Sequence, residues 1–284
     1  MRRFAFAWPL AALSVAAVLV ATTREHGVNG KGARTSTASS PEFRAFSSTA
    51  LQQLGAEASK HHEFYFTRAV YSSGMGGYGF RGRGAWSTDW PTADIQFLSV
   101  LNRLARNIDA YEGDNPVRLD DPNLRRFPYL YAVEVGRMGL ADSEVQGLRN
   151  YLLAGGFLFA DDFWGLYEWA NFEANMRRVL PEYKIIEMEL NHPLFHSYYD
   201  IQKFLQVPNV NNGCAGGPYY ESYDDTEPKI RGIFDEKGRL LVLISYNSDL
   251  GDAWEHMEKS CYPLDRSTFA YEFAVNTIIY ALSH

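Results

Sequence analysis

Leu148–Gly165, reading LRNYLLAGGFLFADDFWG, constrains the fold more than any other stretch of this chain. Ser143 is suited to cap a helix, and Gln146 three residues later completes a capping box. Val145, Leu148, Leu152 and Leu153 then recur at helical spacing and make one face apolar. Gly155-Gly156 ends the helix, because glycine takes a left-handed conformation without a Cβ penalty. Phe157 to Ala160 is a short apolar run, the pattern of a strand covered on both faces. It stops at Asp161-Asp162. Helix, tight turn, buried strand and paired carboxylates make one unit of an α/β fold, and such folds bind ligands beyond the carboxyl ends of their strands.

The remaining pattern repeats that unit. Glu63–Tyr71 reads as a first strand, Pro116–Leu119 as a short one and Tyr129–Val133 as a buried one ending at Glu134. Tyr183–Leu190 is a further strand. Gly232–Asp235 and Arg239–Tyr246 form a hairpin whose second arm is almost wholly apolar and therefore central. Helices are expected over 43–60, from Pro91 onward with Ile95, Leu98, Leu101, Leu104 and Ala105 as the buried stripe, over 164–179 with Phe172, Met176 and Val179 inward, and over 268–282. No internal repeat is visible.

The chain of 284 residues is 46% hydrophobic, enough for a large core, so one domain plus a tail is the natural division. Arg2-Arg3 followed by the uncharged run Phe4 to Ala21 predicts a signal peptide or an N-terminal membrane anchor over 1–21, with the rest of the chain facing outward. Residues 22–41, rich in Ser, Thr, Gly and Ala, read as a flexible linker. Residues 42–284 are left as a single α/β domain. The net charge of −7, without a basic run after the first residues, gives nucleic-acid binding no electrostatic support.

Four strands end in polar clusters. The first runs into a glycine-rich loop containing Gly77 and Tyr78, with Asp89 shortly after. The others end at Glu134, at Asp161/Asp162 beside Trp164, and at Asn247, Asp249, Asp252, Trp254 and Glu255. A mainly parallel sheet would bring all four to one edge. Clustered carboxylates raise one another's pKa and suit acid/base work, so Asp162, Asp252 and Glu255 are the candidate catalytic groups. The other strand-end residues are candidate ligand contacts, aromatic faces beside carboxylates being suited to sugars. The loop spacing matches neither a dinucleotide fingerprint nor a P-loop. Asp and Glu with His192 or His196, which are spaced i,i+4, could bind a divalent metal, but Pro193 after the first histidine makes a turn the better reading, so no metal and no cofactor is expected. In an exported protein two loop cysteines suggest a disulfide, Cys214–Cys261.

RAVY (68–71), GGYG (76–79), TDWPTAD (88–94), GGFLFADDFWG (155–165), HPLFH (192–196) and NSDLGDAWE (247–255) together resemble the uncharacterised bacterial family known as domain of unknown function 4159. The resemblance spans about 63–284. It implies a flavodoxin-like, class I glutamine amidotransferase-like three-layer sandwich with a mainly parallel central sheet. Relatives of that fold place a nucleophilic cysteine at the turn corresponding to Asp161-Asp162-Phe163, where this chain has none. It also implies association with MoxR-type ATPases and von Willebrand-like proteins in an envelope complex. Two functions follow as expectations: a ligand-binding module for a glycan- or peptide-like ligand, periplasmic or tethered through 4–21 to the outer face of the cytoplasmic membrane, or a carboxylate- or metal-dependent hydrolase acting on a cell-envelope substrate.

Overall fold

The computed structural model describes residues 62–74 and 84–284. The export segment, the linker, the helix expected over 43–60, Gly77 and Tyr78 lie outside them. Seven strands, β1 (Thr67–Val70), β2 (Asn115–Arg118), β3 (Tyr129–Ala132), β4 (Phe157–Ala160), β5 (Ile185–Glu187), β6 (Lys229–Phe234) and β7 (Leu240–Tyr246), form one sheet in the order β2-β1-β3-β4-β7-β6-β5. The five strands from β2 to β7 in that order run parallel. β6 is antiparallel to both its neighbours and closes the hairpin read from the sequence.

Six α-helices flank the sheet among the described residues: α1 (Thr92–Leu104), α2 (Asp142–Leu153), α3 (Gly165–Val179), α4 (Val210–Ala215), α5 (Leu250–Glu255) and α6 (Leu264–Ser283). The period-two alternation of strands divides the core by face. Tyr129, Tyr131, Phe157 and Phe159 pack with α1, α5 and α6, whereas Leu130, Ala132, Leu158 and Ala160 pack with α2 and α3. The bulky aromatic face therefore carries the closing helix, with its Phe269 and Phe273, and the small-residue face lets α2 and α3 approach. No helix of the described residues is long and apolar enough to cross a membrane.

Two local expectations are corrected. Ala141, not Ser143, precedes the first turn of α2, and Glu144 performs the cap by accepting the Ala141 N–H at 2.8 Å. Its other oxygen accepts the Ser72 N–H at 2.9 Å, so this buried carboxylate ties the chain leaving β1 to the start of α2. In α1, Ile95 and Leu104 are exposed, and the inward face carries Ala93, Asp94, Phe97, Leu98 and Leu101. The face is rotated because Phe97 packs on Trp254 at 4.7 Å and Asp94 pairs with Arg68, a partner that an apolar count cannot register.

Candidate functional site

Because β1, β3, β4 and β7 are parallel, their carboxyl ends open on one rim. The residues that turn the chain there share an unusual backbone. Glu134 after β3, Asp162 after β4, Asn247 after β7 and Asp89 before α1 have φ of 51°, 53°, 57° and 60°. Left-handed conformations cost non-glycine residues free energy, least for Asn and Asp, and collect at functional sites. Glu134, Asp162 and the segment carrying Asp89 are held by hydrogen bonds to their neighbours. The Tyr71 hydroxyl lies 2.6 Å from the Val133 carbonyl and 2.9 Å from that of Glu134. Asp162 N–H donates to Ser248 O at 3.1 Å. The fully buried Arg68 donates to Thr88 O at 3.0 Å and to Trp86 O at 3.3 Å, fixing the segment that presents Asp89.

The acids of the rim converge. Asp89, Asp162 and Asp249 each offer an oxygen within 4.8 Å of the others. A second such group, Asp252, Glu255 and His256, follows along α5. Burial first, and then like charge, pushes the acids upward. Asp162 is raised well above its ordinary value by burial and by Glu134, Glu221 and Asp89. Asp249 is raised well above by burial and by Asp162, Asp252 and Asp89. Asp89 is likewise raised by burial and by Asp252, with Arg68 opposing. Burial also raises Asp252 and Glu255. Glu134 is pushed up to about 7 by burial, against the pull of Arg137, whose Nε lies 3.0 Å from its carboxylate.

Several partners aim these groups. Trp164 Nε1 donates to Asp162 Oδ1 at 2.9 Å. Asp249 caps α5 by accepting the Asp252 N–H at 2.8 Å. Asp252 Oδ2 accepts the Val210 N–H at 2.6 Å, and His256 Nε2 stands 3.5 Å from Asp252 Oδ1. Val210 opens α4, which the Cys214–Cys261 disulfide fastens to the segment following α5. Asn209, just before it, donates to Glu221 at 2.7 Å.

Other predicted contacts take structural places. Trp254 is fully buried against Phe66, Phe97 and Tyr131, so it offers no stacking face to a ligand. The apolar surroundings at the foot of α5 claim it. Trp164 is also buried and serves Asp162. Asn247 spends its whole amide: Oδ1 accepts Gly165 N–H at 3.0 Å, and Nδ2 donates to Asp225 O and Glu227 O. Asp161 continues the aromatic face of β4 and lies beneath the rim, where Oδ2 accepts from the Tyr131 hydroxyl at 2.8 Å and Leu250 N–H at 3.0 Å. Burial pushes it up to about 7. His192 accepts the Leu194 N–H within the turn, and His196 pairs with Asp200, so neither joins the rim.

The sequence reading missed Arg68, Glu221 and His256. An arginine inside the apolar first strand was the visible signal for the first. Glu221 was hidden in a polar insertion without periodicity. His256 ends the run of site candidates and was simply not weighed. A family model described as "Domain of unknown function (DUF4159)" matches residues 74–282. No curated protein matches the chain.

Proposed function

The chain belongs to the DUF4159 family, and from that premise we propose that its domain is an exported ligand-binding module of flavodoxin-like, glutamine amidotransferase-like architecture. The fold assignment is supported by the parallel strands, which lie side by side in the order β2-β1-β3-β4-β7, the flavodoxin order with β5 and β6 inserted in the chain before the last strand. In that order the crevice lies outside β1 and β3, where Glu134 and the base of the glycine-rich loop stand. Both cysteines of the chain are bridged, so no thiol serves the turn after β4. The bridge also favours an oxidising, extracytoplasmic place, periplasmic or tethered through 4–21. Docking to MoxR-type ATPases or von Willebrand-like proteins is part of the same envelope reading.

The convergence of Asp89, Asp162 and Asp249 carries the proposal. Carboxyls whose pKa is raised hold their protons to higher pH than ordinary ones, so they can donate as well as accept toward the hydroxyls and amides of a glycan or peptide. Stacking faces come from Tyr167 and Tyr223, both more than 80% exposed. Their segments are tied by Leu166 N–H donating to Asp224. A thermal-shift screen of glycans and cell-wall fragments in chelator tests this reading. The expected ligand stabilises the wild type and not Asp162→Asn; one that stabilises both equally binds elsewhere.

A second reading is the carboxylate- or metal-dependent hydrolase. Its support is Asp162 in a left-handed turn between β4 and α3, the strand–turn–helix geometry of nucleophile elbows. A hydrolytic pair would join Asp162 to Asp252 or Glu255, beside which His256 stands. Hydrolysis of an envelope fragment that persists undiminished in Asp162→Asn and Asp252→Asn would dismiss it.

A further inference from the structure

One oxygen in the cluster lacks a donor. Asp89 Oδ2 is sealed from solvent and accepts no hydrogen bond. It lies so close over Gly251 of α5 that a Cβ on that residue would stand 2.5 Å away. A buried carboxylate oxygen without a donor is costly, so the position calls for a proton or a cation.

The neighbouring acids are oriented to share a cation. Asp162 commits Oδ1 to Trp164 and Asp249 commits Oδ1 to the Asp252 N–H, which leaves Oδ2 of each unengaged. Such outer hydrogen bonds are what orient metal-ligating carboxylates. An oxygen separation of up to 4.8 Å is what two ligands on opposite sides of a cation at about 2.4 Å would span. The three donors are all oxygen, with neither nitrogen nor sulfur among them, which suits a hard cation rather than zinc.

We propose that Asp89, Asp162 and Asp249 form a site for a hard divalent cation of the Ca2+, Mg2+ or Mn2+ class, at the rim formed by the strand ends. The proposal rests on the ligand-site reading and names what the acids themselves hold. It departs from the expectation of no metal, because the three ligands come from separate loops and their sequence spacing carries no motif. The bound cation neutralises the cluster and leaves the rest of the rim to an organic ligand.

Full-chain protein freed of metal with chelator is titrated calorimetrically with Ca2+, Mg2+ and Mn2+, and with Tb3+, whose luminescence Trp164 would sensitise. One cation per chain is expected within about 1 mM, the weak end for exported modules, together with a rise in Tm. Asp89→Asn is expected to weaken binding at least tenfold while the metal-free Tm holds or rises, since the amide keeps the shape and removes a repelling charge. Gly251→Ala, which pushes on Asp89 Oδ2, is expected to weaken binding without removing an acid. Absence of binding by all three cations at about 10 mM overturns the proposal. So does equal binding by the wild type and Asp89→Asn, which would place the cation on surface acids. The glycan and peptide screen runs in chelator, so a ligand found there without any cation response sinks the cation site alone. Cation binding with no organic ligand sinks only the broader reading.

Discussion

The side chains of Arg68 and Asp94 form an ion pair with no solvent exposure on either partner, directly behind the segment that presents Asp89. Burial opposes the guanidinium charge, and Asp94 more than restores it, leaving the Arg68 pKa above its ordinary value. Removing one partner strands the other charge in the core. Arg68→Met or Asp94→Asn is therefore expected to cost about 3–5 kcal/mol, measured by urea unfolding. Arg68→Met with Asp94→Leu should recover much of that stability and still lose ligand binding, because the Thr88 and Trp86 carbonyls remain unheld. A single-mutant loss below about 1 kcal/mol would show that the pair is not a buried anchor.

Stability should fall as pH rises across neutrality. Asp161 and Glu134 are pushed up to about 7, whereas unfolded carboxyls titrate near about 4. The folded state therefore binds more protons in that interval. The stability these groups contribute is complete below the unfolded value and is lost as pH rises through about 7. In chelator, Tm is expected to decline between about pH 5 and pH 8, and Asp161→Asn or Glu134→Gln should flatten the decline. A Tm that climbs over this range contradicts the reading.

The Cys214–Cys261 bridge joins positions 47 residues apart. On chain-entropy grounds its loss costs about 4 kcal/mol. Non-reduced protein should show no reactive thiol, and reductant should release two and lower Tm. Reduction should also weaken ligand binding, because α4 places the Val210 N–H on Asp252. Unchanged binding in the reduced, folded protein would detach the bridge from the site.

Much of the architecture was legible because it follows from periodicity. The FLFA run, the LLVLISY run and the YLYA run each became a central strand, and the parallel arrangement carried Glu134, Asp162 and Asp249 to one rim. Side-chain assignment was less legible, since it depends on what lies across the sheet. Trp254 resembles a ligand platform in NSDLGDAWE, yet Phe97 and Tyr131 enclose it. Asn247 resembles a polar contact, yet its amide fastens the 225–227 backbone. Arg68 was visible as a residue, but its partner Asp94 lies 26 positions away on α1 and follows no local rule.

The central claim is that acids from separate strands form one electrostatic unit, and neutralising two of them measures it. Asn retains the Trp164 hydrogen bond at 162 and the helix cap at 249, and it tolerates the left-handed backbone of Asp162. At about pH 8 in chelator, Asp162→Asn and Asp249→Asn are each expected to raise the unfolding free energy by relieving repulsion. The double variant should gain clearly less than the sum, because the first change has already lowered the repulsion on the second. Two destabilised single variants, or gains that add within about 0.5 kcal/mol, would show that these carboxylates do not act on one another and that the rim holds no common site.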